Sequence, residues 1–316
     1  MTETRLIALV LLLATAIDPR LGAAAAAGSG AAARGSAAGV PSGARLLAPA
    51  PTHATAVGFG EAEAPPSESR LVILGGGERA AEALARFVLW AGGPSSRILA
   101  VSWASIEPKE SCSGVLEELR PHAPGEASCA PFAPLDARGK AGHLDPGSKT
   151  RFLQELAVST GVFFTGGDQA RIMDVLSDAE LLRAVRERHA QGTVFGGTSA
   201  GAAVMSLRMI ADDGDPTVID ADQVVVREGL GLLPGVIVDQ HFVKRQRENR
   251  LFGLVLRHPN ERGIGIDQDT ALLVTGGRHA EVVGRGPVLL VDAVGPDKLE
   301  VTILRPGQSV DLQLRR

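Results

Sequence analysis

An α/β protein is expected from this sequence, with a mostly parallel sheet covered by helices on both faces and antiparallel hairpins at the C-terminal end. Three observations lead to it. From about residue 70 to residue 200, short apolar runs alternate with segments of helical periodicity, the pattern of a sheet buried on both sides. Two of those runs break directly into glycine, at Gly75-Gly-Gly77 and at Gly166-Gly167, as the ligand-gathering ends of such sheets do. After Gly265 the helical pattern stops and short apolar runs follow, separated by turns containing Gly or Pro.

The elements follow in order. Leu71–Leu74 reads as a buried strand. Arg79–Ala91 reads as a helix, with Ala83, Leu84, Phe87 and Val88 in register. Arg97–Val101 is the second strand. Pro108–Asp145 is rich in Pro and Gly, and within it only Val115–Leu119 reads as helical. Lys149–Ser159 is a helix and Val162–Thr165 a strand. Ser177 and Glu180 have capping-box spacing, so a helix opens there and runs to about His189, where Gln191-Gly192 stops it. Thr193–Phe195 is the next strand, Ala202–Ile210 an apolar helix, and Val236–Val238 a further strand. Ala271–Val274, Glu281–Val283, Val288–Val291, Leu299–Leu304 and Val310–Leu314 are short strands that finish the same domain.

The N-terminal part follows a different logic. Arg5 precedes an apolar run, Leu6–Ile17, broken only by Thr15, and small residues follow through Ala23–Ala27. This describes a secretory signal peptide over residues 1–27. Left uncleaved, the run would be an anchor, but it is shorter than the roughly 20 apolar residues of a comfortable span. Residues 28–67 are rich in Ala, Gly, Ser and Pro and cannot bury enough surface to offset ordering entropy. They read as a disordered linker, which leaves residues 68–316 as the folded domain. Export would place it in the periplasm or outside the cell, with no stable membrane association after cleavage. In that oxidising setting Cys112 and Cys129 are either a disulfide or two unrelated thiols.

Composition excludes several classes. Lys and Arg number 32 against 36 Asp and Glu, a formal charge of −4, whereas nucleic-acid binders carry a basic excess. Aromatic residues are 3% and Tyr is absent, which removes the stacking platforms of single-strand binders. Two cysteines cannot make a four-thiolate zinc site.

The chemistry concentrates in Gly197-Thr-Ser199-Ala-Gly201, a Gly-x-Ser-x-Gly pattern between a strand and a helix. In that context Ser199 sits on a nucleophile elbow, its hydroxyl at a helix N-terminus that favours developing negative charge. A serine needs a base, and His241 follows the Val236–Val238 strand, at the kind of edge where catalytic groups gather. Gly167 and Ala200 are placed to donate backbone N–H groups to an oxyanion. Lys244, Arg245, Arg247 and Arg250 follow His241. They form either a solvated face or a site for an acidic substrate, since Arg binds carboxylates bidentately.

Five strings in this order resemble the cyanophycinase family, relatives of the aspartyl dipeptidases. They are Phe163-Phe-Thr-Gly-Gly-Asp-Gln169, Gly196-Gly-Thr-Ser-Ala-Gly-Ala-Ala-Val-Met205, Gly229-Leu-Gly-Leu-Leu-Pro234, Asp239-Gln-His-Phe followed by Arg245, Arg247, Arg250 and Leu251, and Gly263-Ile-Gly-Ile-Asp267. The resemblance covers roughly Arg70–Val294. It implies a three-layer α/β/α fold of the flavodoxin or class I glutamine amidotransferase kind. It also implies a homodimer without metal or cofactor, and hydrolysis of cyanophycin by a serine triad. Cyanophycin is a poly-aspartate carrying arginine on its β-carboxyls, and the products are β-aspartyl-arginine dipeptides. By resemblance Ser199 is the nucleophile and His241 the base, and Gln169, Asp239, Gln240, Arg245, Arg247 and Arg250 line the substrate site.

The resemblance also implies an acid, commonly Glu, in the loop after the nucleophile helix. Here that loop reads Ala211-Asp-Asp-Gly-Asp-Pro-Thr-Val218 and holds no Glu. Asp215 is the expected triad acid, with Asp213 as the alternative. The first glycine turn reads Gly75-Gly-Gly-Glu-Arg-Ala80 where the family usually has Gly-Gly-Ala-Glu-Asp-Lys, and Gln268 stands where the family often has Glu. The expectation is an exported serine exopeptidase acting on cyanophycin. A peptidase for short Asp-containing peptides and a non-catalytic member of the fold are the alternatives.

Overall fold

The computed structural model describes residues 68–313, so the expected signal peptide and linker lie outside the described residues. Alternation sorts the strands' side chains into two layers. In β1 (Arg70–Leu74), Leu71 and Ile73 face one core cluster while Val72 and Leu74 face the other. On the second face lie α1 (Ala81–Trp90), after β1, and α2 (Pro108–Leu119), after β2 (Arg97–Val101). They supply Ala83, Leu84, Phe87, Val88, Val115 and Leu119. On the first face lie α3 (Pro146–Val158), α4 (Gln169–Val175) and α5 (Ala179–Ala190), supplying Phe152, Leu156, Ile172, Leu181 and Val185. Burying such a side chain contributes about 1.5–3 kcal/mol each. Both faces of the sheet are thereby dry, as a parallel sheet requires.

The sheet has eight strands. With β3 (Glu126–Cys129), β4 (Gly161–Phe164) and β5 (Val194–Thr198), its parallel part runs β1-β5-β4-β2-β3. After β5 come the single turn α6 (Ala200–Ala203), the small pair β6 (Arg208–Ile210) and β7 (Val226–Glu228), then β8 (Val236–Gln240) and α7 (Glu248–Arg257). The chain continues through β9 (Arg262–Ile266), β10 (Thr270–Thr275), β11 (His279–Gly284), β12 (Val288–Gly295), β13 (Lys298–Leu304) and β14 (Ser309–Asp311). The antiparallel strands are shared between two sheets. β10, β11 and β14 extend the large sheet beyond β1, while β12 and β13 join β9 and β8 in a separate four-stranded sheet.

Four details differ from the sequence reading. The helix expected over Ala202–Ile210 is a single turn, because the carbonyls of Val204, Met205 and Ser206 accept the N–H groups of Leu230–Leu233 instead of continuing a helical ladder. Second, α5 is capped not by Ser177 but by Asp178, whose carboxylate accepts from the N–H groups of Glu180 and Leu181, while the Ser177 hydroxyl donates to the Asp174 carbonyl. Third, β3, α4, the β6–β7 pair, α7 and β9 were not expected at all, and α2 starts seven residues earlier than its readable part, with Pro108 at its first turn. Finally, the strand leading to His241 belongs to the four-stranded sheet, where it runs parallel to β9.

Cys112 of α2 and Cys129 of β3 form a disulfide that ties the edge strand to its covering helix. Among the described residues no helix is long and apolar enough to cross a membrane.

Candidate active site

Ser199 lies between β5 and α6 with φ 53° and ψ −112°, a strained conformation for a residue with a side chain. Its surroundings hold it there. The Ser199 N–H donates to the Leu74 carbonyl at 3.0 Å, and its own carbonyl accepts from Ala202 and Ala203. A Cβ on Gly197 would overlap the Gly201 carbonyl, and one on Gly201 would overlap that of Phe164. Both glycines of the pentapeptide are therefore required by close backbone approach, and the hydroxyl is left half-buried at the sheet's carboxyl edge.

His241 reaches the same point from the end of β8. It too has positive φ, 50°, and its N–H donates to the Gly75 carbonyl at 2.7 Å. Phe242 packs on Gly265, and the imidazole lies against Gly76, where any Cβ would strike the ring. Nε2 stands 2.9 Å from Ser199 Oγ. Burial first, then the charges of Arg245 and Arg247, push the imidazole down to about 4, against an opposing pull from Asp267. The ring is therefore neutral at ordinary pH.

The expected acid is not at the ring. The Asp215 carboxylate accepts from the Thr217 N–H at 2.8 Å and from its hydroxyl at 2.6 Å, and these bonds lower its pKa. Asp213 pairs with Arg247. Both belong to the segment between β6 and β7, and neither makes a hydrogen bond to Nδ1. The group on Nδ1 is Gln268, whose Nε2 lies 2.7 Å away. Gln268 follows β9, the parallel neighbour of β8, so the two strand ends bring it beside His241. The missed signal was positional: Gly263–Ile266 is an alternating run that breaks into polar residues, as the other site-bearing strands do.

The backbone around Ser199 is open for an anion. Gly166 abuts the serine, with the site a Cβ would occupy 3.9 Å from Oγ. Among the described residues no backbone acceptor takes the N–H of Gly167 or that of Ala200.

The remaining expected residues divide by exposure. Asp239 and Arg250, 1% and 2% exposed, form a forked ion pair with Arg250 Nε 2.7 Å from Asp239 Oδ2, so they brace the floor from beneath. Gln169 is buried, with its amide donating to the Ile210 carbonyl at 2.8 Å. Arg247 donates to the Gln240 carbonyl and to Gln240 Oε1, each at 2.9 Å, and Gln240 Oε1 lies 3.5 Å from Ser199 Oγ. Arg245 is exposed and has no side-chain partner among the described residues. The basic run is thus neither wholly a solvated face nor wholly a binding site: two guanidinium groups are built in and one is free. Among the described residues no group of three or more His, Cys, Asp or Glu could hold a metal ion.

Known proteins resemble this chain. The profile of peptidase family S51 matches residues 132–282. The cyanophycinase of Geminocystis herdmanii (strain PCC 6308) is 36% identical over 228 residues, covering 71% of this chain and 80% of that protein. The cyanophycinase of Trichormus variabilis is 46% identical over 138 residues, covering 43% of this chain and 46% of that protein. In three dimensions the chain is similar to the crystal structure of a peptidase from an acI-B1 Actinobacterium, with a TM-score of 0.57 and 22% identity over 78% of this chain and 98% of that one. That last likeness is one of fold.

Proposed function

The chain belongs to the cyanophycinase family of S51 serine-type peptidases, and on that footing we propose that it hydrolyses the arginine-bearing poly-aspartate of its relatives, with Ser199 as nucleophile and His241 as base. The single observation that carries this reading is the 2.9 Å approach of a neutral imidazole to the hydroxyl of a strained elbow serine. In the reaction Ser199 Oγ attacks an aspartyl carbonyl and His241 Nε2 takes the hydroxyl proton. The tetrahedral oxyanion lies toward the N–H groups of Gly167 and Ala200. The proton then passes to the leaving amine, and water releases the acyl group.

Arg245 is the anchor for a substrate carboxylate, since its guanidinium is unpaired and lies close enough for its charge to act on His241. Arg250, Asp239 and Arg247 hold the floor. Export remains part of the proposal. A disulfide persists in an oxidising compartment, and the Cys112–Cys129 bridge supports that setting.

Incubating the protein with purified cyanophycin and, separately, with short aspartyl dipeptides tests the substrate. Release of β-aspartyl-arginine from the polymer, lost in Ser199→Ala, is expected. Cleavage of the dipeptides with the polymer untouched would point to the short-peptide alternative.

A further inference from the structure

We infer that Gln268 is the positioning residue of His241, and that its amide holds the imidazole in the tautomer whose Nε2 carries the proton, leaving Ser199 restrained at rest. The inference rests on the reading of Ser199 as nucleophile and His241 as its base. Its evidence is a chain of four close polar contacts, from which the donor directions are deduced. An amide nitrogen can only donate, so Gln268 Nε2, 2.7 Å from Nδ1, makes Nδ1 an acceptor. A neutral imidazole with a bare Nδ1 carries its proton on Nε2. At 2.9 Å that N–H points at Ser199 Oγ, which then accepts. The hydroxyl proton is left to Gln240 Oε1, the acceptor 3.5 Å on the other side. Gln240 is itself held by Arg247, whose Nη1 donates to the same Oε1 at 2.9 Å. The donors run one way, from Gln268 through His241 and Ser199 to Gln240. General-base catalysis needs the opposite sense at the Ser199–His241 link.

The chemistry of the third position gives the consequence. A carboxylate on Nδ1 accepts from Nδ1–H, frees the Nε2 lone pair for the serine proton, and stabilises the imidazolium that forms. An amide nitrogen does none of these. For His241 to accept the Ser199 proton, the ring proton must move from Nε2 to Nδ1 and the Gln268 amide must turn to offer Oε1. Among the described residues no carboxylate stands in for it at hydrogen-bond distance. Asp267 lies near enough for its charge to favour the imidazolium, but its Oδ1 takes the Lys244 N–H at 3.0 Å. On the turn that packs over the ring, Asp269 accepts the Glu78 N–H at 2.7 Å, and Glu78 pairs with Arg285 at 3.1 Å. The charges of Arg245 and Arg247 oppose a charged ring. The site is therefore a complete constellation with a neutral third member.

Gln268→Glu is the isosteric test. The second-order rate of labelling by a fluorophosphonate reads Ser199 activation without any assumption about substrate, and is measured against pH for wild type, Gln268→Glu and Ser199→Ala. The inference predicts that the Glu variant labels about 10²–10⁴ times faster than wild type. It also predicts that the acid limb of its profile moves up by one unit or more, because a carboxylate at Nδ1 favours the charged ring. A folded Glu variant with the wild-type rate and limb would overturn it.

Should the Glu variant fail to fold, nitrogen NMR of histidine-labelled wild type decides, with the His241 signals identified by their loss in His241→Ala. A proton on Nε2 supports the inference and a proton on Nδ1 overturns it. Wild type and Glu variant both labelling no faster than Ser199→Ala would defeat the nucleophile reading and this inference with it. Slow, Ser199-dependent labelling with no gain from Glu would defeat this inference alone.

Discussion

In the proposed reaction the His241 imidazole has two jobs that pull against each other: it must stay uncharged to accept a proton, and it must hold the proton once it arrives. Burial and the neighbouring Arg245 and Arg247 secure the first by bringing the ring to about 4. The second lacks a charged partner, because Gln268 rather than an acid occupies Nδ1. Two predictions belong here. Since the neutral ring is the working form, kcat/KM should rise as pH rises through about 4, not through the ordinary histidine value near 6.5; a pH profile on the polymer checks this. Arg245→Ala removes the one free guanidinium of the basic run, so KM should rise about 10–100-fold with kcat little changed, the worth of a hydrogen bond to a charged group; a fall in kcat alone would remove Arg245 from binding. The sequence carried Ser199 and His241 because each ends a strand beside a distinctive string. It did not carry the ring's third partner. Gln268 is an ordinary residue in an ordinary turn until β8 and β9 are paired, and that pairing is made across the α7 crossover.

Elements place these residues by backbone approach more than by side-chain packing. The elbow works because β5 and α6 meet with carbonyl oxygens where Cβ atoms would be. Gly201→Ala must push α6 off Phe164, and overpacking of this kind costs about 1–3 kcal/mol. A lowered melting temperature together with loss of Ser199 labelling is expected, whereas a fully active Gly201→Ala would contradict the elbow geometry. The parallel core was legible because its strands are apolar throughout and β1, β4 and β5 run straight into polar or glycine turns. The region after the elbow was not. Ala-rich, apolar Ala202–Ile210 has helical composition, yet Val204–Ser206 spends its carbonyls on residues 230–233, a pairing no local pattern announces. The cap at Asp178 was missed for a similar reason: Ser177 and Asp178 both suit the position, and one residue of register separates them. β3 was hidden because it is an edge strand with only partly buried side chains.

The whole molecule joins two sheets so that β5 and β8 end at one place, with Ser199 on one and His241 on the other. Its outer margin is held covalently. The Cys112–Cys129 bridge closes a separation of 17 residues, and in the chain-entropy account such a loop contributes about 3 kcal/mol. Replacing both cysteines by Ala should therefore lower the melting temperature by about 6–12 °C in a domain of this size, and reducing agent should do the same to the native chain; equal melting curves would show that the bridge adds nothing. The proposed activity, by contrast, rests on a single oxygen. Mass-spectrometric peptide mapping after reaction with a serine-directed phosphonate locates the reactive hydroxyl in the intact protein. One adduct on Ser199, absent from Ser199→Ala and from His241→Ala, is the predicted result. An adduct on another residue, or polymer hydrolysis that continues with Ser199 unmodified, would contradict it.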